Sequence, residues 1–129
     1  MKQVQRIGAI YPDDMWVDED VQRLLAEFRF FLPDDVDMVS ASTNIPTGVH
    51  TADAARGWAS NGEIEEAARR SMRYSPDCFA YYCTTVSFVR GFGSDEEISR
   101  RITRTTGLPA TTTSTAEELA QYRVEIAWP

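Results

Sequence analysis

Hydrophobic and polar positions along this chain switch repeatedly between a period of two and a period of 3.6. Residues 4–12, VQRIGAIYP, form a β-branched apolar run closed by Pro12, which predicts a strand ending in a turn. In residues 18–32, DEDVQRLLAEFRFFL, the positions Val21, Leu24, Leu25 and Phe28 fall at i, i+3, i+4 and i+7, one face of a helix. Acidic residues 18–20 suit the positive N-terminal end of that helix, and Pro33 ends it. VDMVSAS (36–42) predicts a second strand and TNIPTGVH (43–50) a loop. TADAARGWAS and SNGEIEEAARRSMRYS read as helix on either side of Asn61-Gly62, two pieces or one kinked helix. Ser60 and Glu63 have the spacing of a capping box, and Ile64, Ala67, Ala68 and Met72 mark the buried face.

The second half repeats the alternation. DCFAYYC (77–83) is apolar on both faces, as a central parallel strand should be. SDEEISRRITRTTG (94–107) predicts a helix with a capping box from Ser94 to Glu97 and a stop at Gly107. LPATTT is a thin fourth strand, STAEELAQY a helix with a box from Thr115 to Glu118, and RVEIAWP (123–129) a fifth strand candidate. Strand alternating with helix implies parallel pairing through right-handed crossovers. The expected fold is a single α/β domain over residues 1–129, a three-layer sandwich around a mainly parallel sheet of four to five strands. One faint repeat stands out: RIGAIYP at 6–12 and RVEIAWP at 123–129 share a pattern, as a second lobe beginning at 123 would produce.

Composition narrows the function. The 129 residues suffice for a core, and 43% hydrophobic with 26% charged residues is ordinary for a globular chain. No run approaches the roughly 18 apolar residues of a membrane helix, and the N-terminus is too short for a secretion signal. A cytoplasmic protein is the default expectation. A net charge of −7 without a basic cluster argues against nucleic acid; Arg69, Arg70 and Arg73 sit among glutamates on a solvated helix face. Two cysteines, one histidine and no Cys-x-x-Cys argue against a disulfide framework and a zinc site. Cys78 and Cys83, read on one strand five residues apart, point to opposite faces.

In an open parallel sheet, ligands bind beyond the carboxyl ends of the strands. Those ends are Tyr11 to Asp14, Ser40 to Asn44, Cys83-Thr84-Thr85, and Thr112 to Thr115. Three of the four are rich in hydroxyls and amides, and Cys83 is the strong nucleophile among them. A thiol works as the thiolate, whose pKa falls near N–H donors. Thr84, Thr85 and Ser87 offer hydroxyls and turn N–H groups just past Cys83, groups that bind a carboxylate and stabilise an enolate formed beside it. From spacing alone packing is the favoured role for Cys83, and more strongly so for Cys78 near the strand start. His50 reads as a surface or capping residue, and Asp13-Asp14 as turn formers rather than an acid/base pair. GFGSDEE lacks a dinucleotide fingerprint, and Ser87 lacks nucleophile-elbow glycines. A receiver or flavodoxin-like module would want an aspartate at the end of the third strand, where Cys83 stands.

Two stretches, CTTVSFVRG (83–91) and TGLPATTTSTA (106–116), resemble corresponding segments of the aspartate/glutamate racemase superfamily, in the branch of maleate cis-trans isomerase and arylmalonate decarboxylase. RIGAIYP is similar to that branch's first strand. The resemblance implies two similar α/β lobes with the active site between them, one cysteine from each, and no metal or organic cofactor. Cys83 lies at the first-lobe cysteine position, where the decarboxylase has glycine, so isomerase or racemase chemistry is implied over that decarboxylation. Thr84 and Thr85 match carboxylate-binding positions, Ser114 and Thr115 border the same pocket, and Pro12 matches the proline of the first-strand loop. Two departures stand against this. Met15 falls where maleate isomerases place an asparagine, and Asp13-Asp14 would repel a dicarboxylate, which speaks against maleate itself. The family is also close to twice this long, so the second cysteine is absent from this chain.

Two functions follow as expectations. One is a cofactor-independent, cysteine-dependent isomerase or racemase, with decarboxylation in view, acting at the carbon next to a carboxylate. Its partners would be a small carboxylic acid and either a second copy, as a twofold homodimer, or the missing second lobe. The other is a truncated or degenerate half-domain that binds a small acid or a partner chain without catalysis, in keeping with the apolar tail VEIAWP.

Overall fold

Four runs of strand pattern become four parallel strands: β1 (Gln5–Pro12), β2 (Val36–Thr43), β3 (Cys78–Tyr81) and β4 (Ala110–Thr112). The structure, a computed structural model, describes residues 3–12, 18–43 and 51–115, with the side chains of 18–22 and 24 outside that description. The sheet order is β2-β1-β3-β4, so the chain lays down β2 on one side of β1 and then β3 and β4 on the other. Between β1 and β3 the strand order reverses direction, which in open α/β sheets opens a crevice beyond the carboxyl ends.

Helices cover both faces. α1 (Asp18–Phe31) brings Leu25 against Ala9 of β1 and Met38 of β2, with Phe28 and Tyr82 packed alongside. On the other face lie α2 (Ala52–Ser60), α3 (Glu63–Ser71) and α5 (Ser94–Thr106). They bury Ala55, Ile64, Ala68, Ile98 and Ile102 against Ile10 and Phe79. Ala9 and Ile10 are neighbours in sequence that feed opposite cores, the period of two expected in a strand buried on both sides. The expected three-layer α/β sandwich with a mainly parallel sheet is the architecture observed.

Several local expectations are corrected. Ser60 does not cap α3: it closes α2, where its hydroxyl donates to the Arg56 carbonyl (2.5 Å). The Asn61 side chain takes the Glu63 N–H instead (3.0 Å), and Gly62 is the N-cap. Ser94 likewise lies inside α5. Gly93 is the N-cap at φ +85°, a backbone region that favours glycine. Met72 leaves the buried face, because Met72–Tyr74 wind as a 3₁₀ turn of period three and carry it out of the stripe. Helices α2 and α3 are separate. β3 ends at Tyr81, so Cys83 is not a strand residue opposed to Cys78. A five-residue helix, α4 (Thr84–Phe88), replaces the turn expected after Cys83.

Val21, Leu24, Asp13, Asp14, Met15, His50, the Thr115–Glu118 box and the strand candidate at 123–129 rest on side chains or segments outside the described residues. Among the described residues no helix is long and apolar enough to cross a membrane. No group of three or more His, Cys, Asp or Glu side chains there is placed to hold a metal.

Candidate active site

The junction of β3 and α4 sets Cys83. Past the last β3 residue, the Tyr82 N–H still donates to the Ile10 carbonyl (2.7 Å), holding the chain against β1. Cys83 is extended at φ −163° and serves as the N-cap of α4. Its carbonyl accepts from both the N–H (3.0 Å) and the hydroxyl (2.8 Å) of Ser87. The Ser94 hydroxyl in turn donates to the Ser87 carbonyl, so the start of α5 braces α4 from below. Ser87 is fully buried, which makes this a fixed mount for the residue that carries the thiol.

A cavity of about 900 Å³ opens over this junction, at the reversal between β1 and β3. Cys83, Thr84 and Thr85 line it together. β1 contributes Ala9 and Tyr11, and Tyr82 faces in from the end of β3. Leu25 and Phe28 of α1 form one wall, and Ala55 and Trp58 of α2 another, with Thr51 and Ala52 at the start of that helix. Phe88 of α4 stands at the rim, 41% exposed. No Asp, Glu, Lys, Arg or His is among the described lining residues. Burial pushes the Tyr82 phenol up from its ordinary value. Burial, with Cys83 as a second cause, does the same to Tyr81. Both phenols therefore stay neutral near pH 7, hydrogen-bonding groups rather than charges.

The two cysteines occupy different surroundings, and neither is in a disulfide. Cys83 packs against the larger core cluster on one side and lines the cavity on the other. Cys78 opens β3 at the opposite end of the sheet, paired in register with Ile7. Burial first, and the Asp77 carboxylate second, push its thiol up from the ordinary value.

The residues singled out from the sequence divide into two groups. Cys83, Thr84 and Thr85 come together on the cavity wall. Pro12 is buried at the end of β1, in register with Thr43, and is not among the described lining residues. Ser114 is buried just past β4, its hydroxyl without a hydrogen-bond partner among the described residues. The Thr115 hydroxyl donates to the buried Asp95 carboxylate (2.6 Å), and its N–H donates to the Thr112 hydroxyl (3.2 Å). Neither Ser114 nor Thr115 lines the cavity. Thr113 does, with its hydroxyl donating to the Tyr81 carbonyl (3.1 Å) and tying the ends of β3 and β4 together. No strand period pointed to Thr113, which lies past the end of β4 where the chain turns helical over 113–115. Thr51, Trp58 and Phe88 carried no signal either, since only the packing of α2 and α4 brings them to the crevice.

No family model matches the chain, and no curated protein matches it. Solved structures do. Arylmalonate decarboxylase superposes with a TM-score of 0.67 at 22% identity, over 93% of this chain and 48% of that one. A liganded variant of that enzyme, with a glycine replaced by cysteine and a cysteine by serine, gives 0.64 at 25% identity over 88% and 43%. A cysteine-to-alanine variant of the maleate isomerase Iso from Pseudomonas putida S16, solved with maleate, gives 0.66 at 18% over 88% and 46%. The chain thus has the aspartate/glutamate racemase-like fold of these enzymes and spans less than half the length of each, consistent with one lobe.

Proposed function

We propose that this chain is the thiol-bearing lobe of a cofactor-independent isomerase or racemase acting at the carbon next to a carboxylate. The observation that supports it is the placement of Cys83. It is a half-buried thiol on the wall of a cavity at the sheet's reversal point, beside Thr84 and Thr85 on a braced helix start. The solved structures of the same fold are a decarboxylase and an isomerase, and a thiol on such a wall suits the isomerase side of that pair.

The chemistry runs through one thiolate. With a saturated acid, Cys83 Sγ takes the α-proton and the electron pair moves onto the carboxyl carbon's oxygens, giving an enediolate. The hydroxyls of Thr84 and Thr85 donate to those oxygens as charge builds on them. Return of a proton to the α-carbon, on the same or the opposite face, restores the acid. With an unsaturated acid, the thiolate adds to the double bond. The new single bond rotates, and loss of the thiolate returns the alkene in the other geometry. Racemisation needs a second proton donor on the opposite face. We assign that group to a partner lobe or a second copy.

A non-catalytic acid-binding half-domain is the second reading, and the uncharged cavity favours it to the extent that binding needs no base. Deuterium exchange separates the two. In D₂O, a panel of small acids bearing an α-hydrogen should lose that proton signal in the presence of the protein. Cys83→Ala should slow exchange by about 10²- to 10⁴-fold, the usual worth of a positioned base. An equal rate with the alanine variant would remove Cys83 from the chemistry.

A further inference from the structure

The cavity walls carry information about the ligand beyond its carboxylate. Leu25, Phe28, Met38, Trp58, Tyr82 and Phe88 surround the space with aliphatic and aromatic surface. Its polar side chains among the described residues include the Cys83 thiol, threonine hydroxyls and tyrosine phenols, with no carboxylate, ammonium, guanidinium or imidazole beside them. Four arginines of neighbouring elements are engaged elsewhere. Arg29 donates to Asp37 and to the Met38 carbonyl, and Arg101 to Glu65 and the Ala59 carbonyl. Arg56 pairs with Asp53, and Arg70 donates to the Ser42 carbonyl.

These features set opposite costs for two kinds of acid. One carboxylate can meet the hydroxyls of Thr84 and Thr85 at the start of α4. A second carboxylate on the same small molecule would face apolar wall, and a buried charge without a partner is strongly unfavourable. A chain of net charge −7 adds no general attraction for a dianion. An apolar substituent, by contrast, removes both its own surface and that of the wall from water. The volume, about 900 Å³, is at the upper end for small-molecule sites and far exceeds what a two- to four-carbon diacid fills.

We propose that this cavity selects monocarboxylic acids carrying a bulky apolar group, aromatic or branched aliphatic, on the carbon next to the carboxylate, and discriminates against small dicarboxylic acids. The inference rests on the proposed function only for the end of the ligand that meets Cys83, Thr84 and Thr85.

Four acids dissect it: phenylacetate, acetate, malonate and phenylmalonate, titrated calorimetrically into the full chain, with protection of Cys83 from iodoacetamide as the site readout. Phenylacetate should bind at least about tenfold more tightly than acetate or malonate, a difference of about 1.4 kcal/mol. Phenylmalonate should bind no more tightly than phenylacetate. Phe88→Arg, at the partly exposed rim, should narrow the gap by strengthening malonate and weakening phenylacetate. Malonate binding as tightly as phenylacetate in the wild-type chain would overturn the proposal, as would selective binding that leaves Cys83 unprotected. Selective phenylacetate binding without deuterium exchange would sink the catalytic reading and leave this selectivity standing. Exchange confined to diacids would do the reverse.

Discussion

Gly8 and Phe79 sit opposite each other across β1 and β3, and the Phe79 ring lies over the glycine. A Cβ at position 8 would meet that ring at 2.6 Å. Phe79 is 1% exposed and has no open side to retreat to, so Gly8→Ala should cost about 1–3 kcal/mol, read as a lower urea midpoint with unchanged slope. At the site, the sequence separated Cys83 from Cys78 by position alone, since a strand's carboxyl end is where ligands bind. Their surroundings were beyond its reach. The thiol of Cys78 is held up by burial and by Asp77, and that depends on the depth of the β3 start in the sheet. Pro12, Ser114 and Thr115 show the same gap. A hydroxyl-rich strand end announces polar groups, but where the strand stops decides which of them turn toward the cavity and which toward Asp95.

Among the elements, α3 and α5 are locked together by Glu65 and Arg101. Arg101 donates through two nitrogens to both oxygens of Glu65 (2.5 and 2.9 Å), and also to the carbonyl of Ala59 in α2. Both side chains are less than one-fifth exposed. Burial raises the Glu65 pKa, but the hydrogen bonds and charge of Arg101 outweigh it, and the carboxyl ends below its ordinary value of 4.5. A depressed carboxyl pKa contributes stability that is fully present above 4.5 and lost as pH falls through the folded-state value. Glu65→Gln should therefore lose about 1.5–3 kcal/mol at neutral pH and show a smaller acid-induced loss below 4.5 than the wild-type chain. Equal acid sensitivity in both would refute this role. Helix and strand identity were legible because hydrophobic period survives in any register. Helix starts were less so: serine at the box spacing is outcompeted where Gly62 or Gly93 can take the left-handed N-cap conformation. The short α4 was illegible, because five residues hold less than two helical turns and show no periodicity.

For the molecule as a whole, the sheet order and its reversal between β1 and β3 decide where a ligand can sit, and alternating strand and helix patterns made that architecture readable. The cavity was not readable in this way, since its walls gather residues from 9 to 113. Its rim carries Phe88, and Phe92, four residues further along the chain, is fully exposed. We propose that a second copy packs over this rim and supplies the opposite wall of the cleft. Sedimentation at micromolar concentration should then show a dimer that Phe92→Asp weakens by at least about tenfold, whereas a wild-type monomer would contradict that assembly. The most direct test of the central claim is the rate at which each thiol reacts. Peptide-resolved iodoacetamide labelling of the folded chain near pH 7.5 should modify Cys83 at least about tenfold faster than Cys78, because Cys83 lines the cavity while burial and the Asp77 carboxylate hold the Cys78 thiol up. Equally slow labelling of both cysteines would place the Cys83 sulfur in the core and end its candidacy as the reacting group.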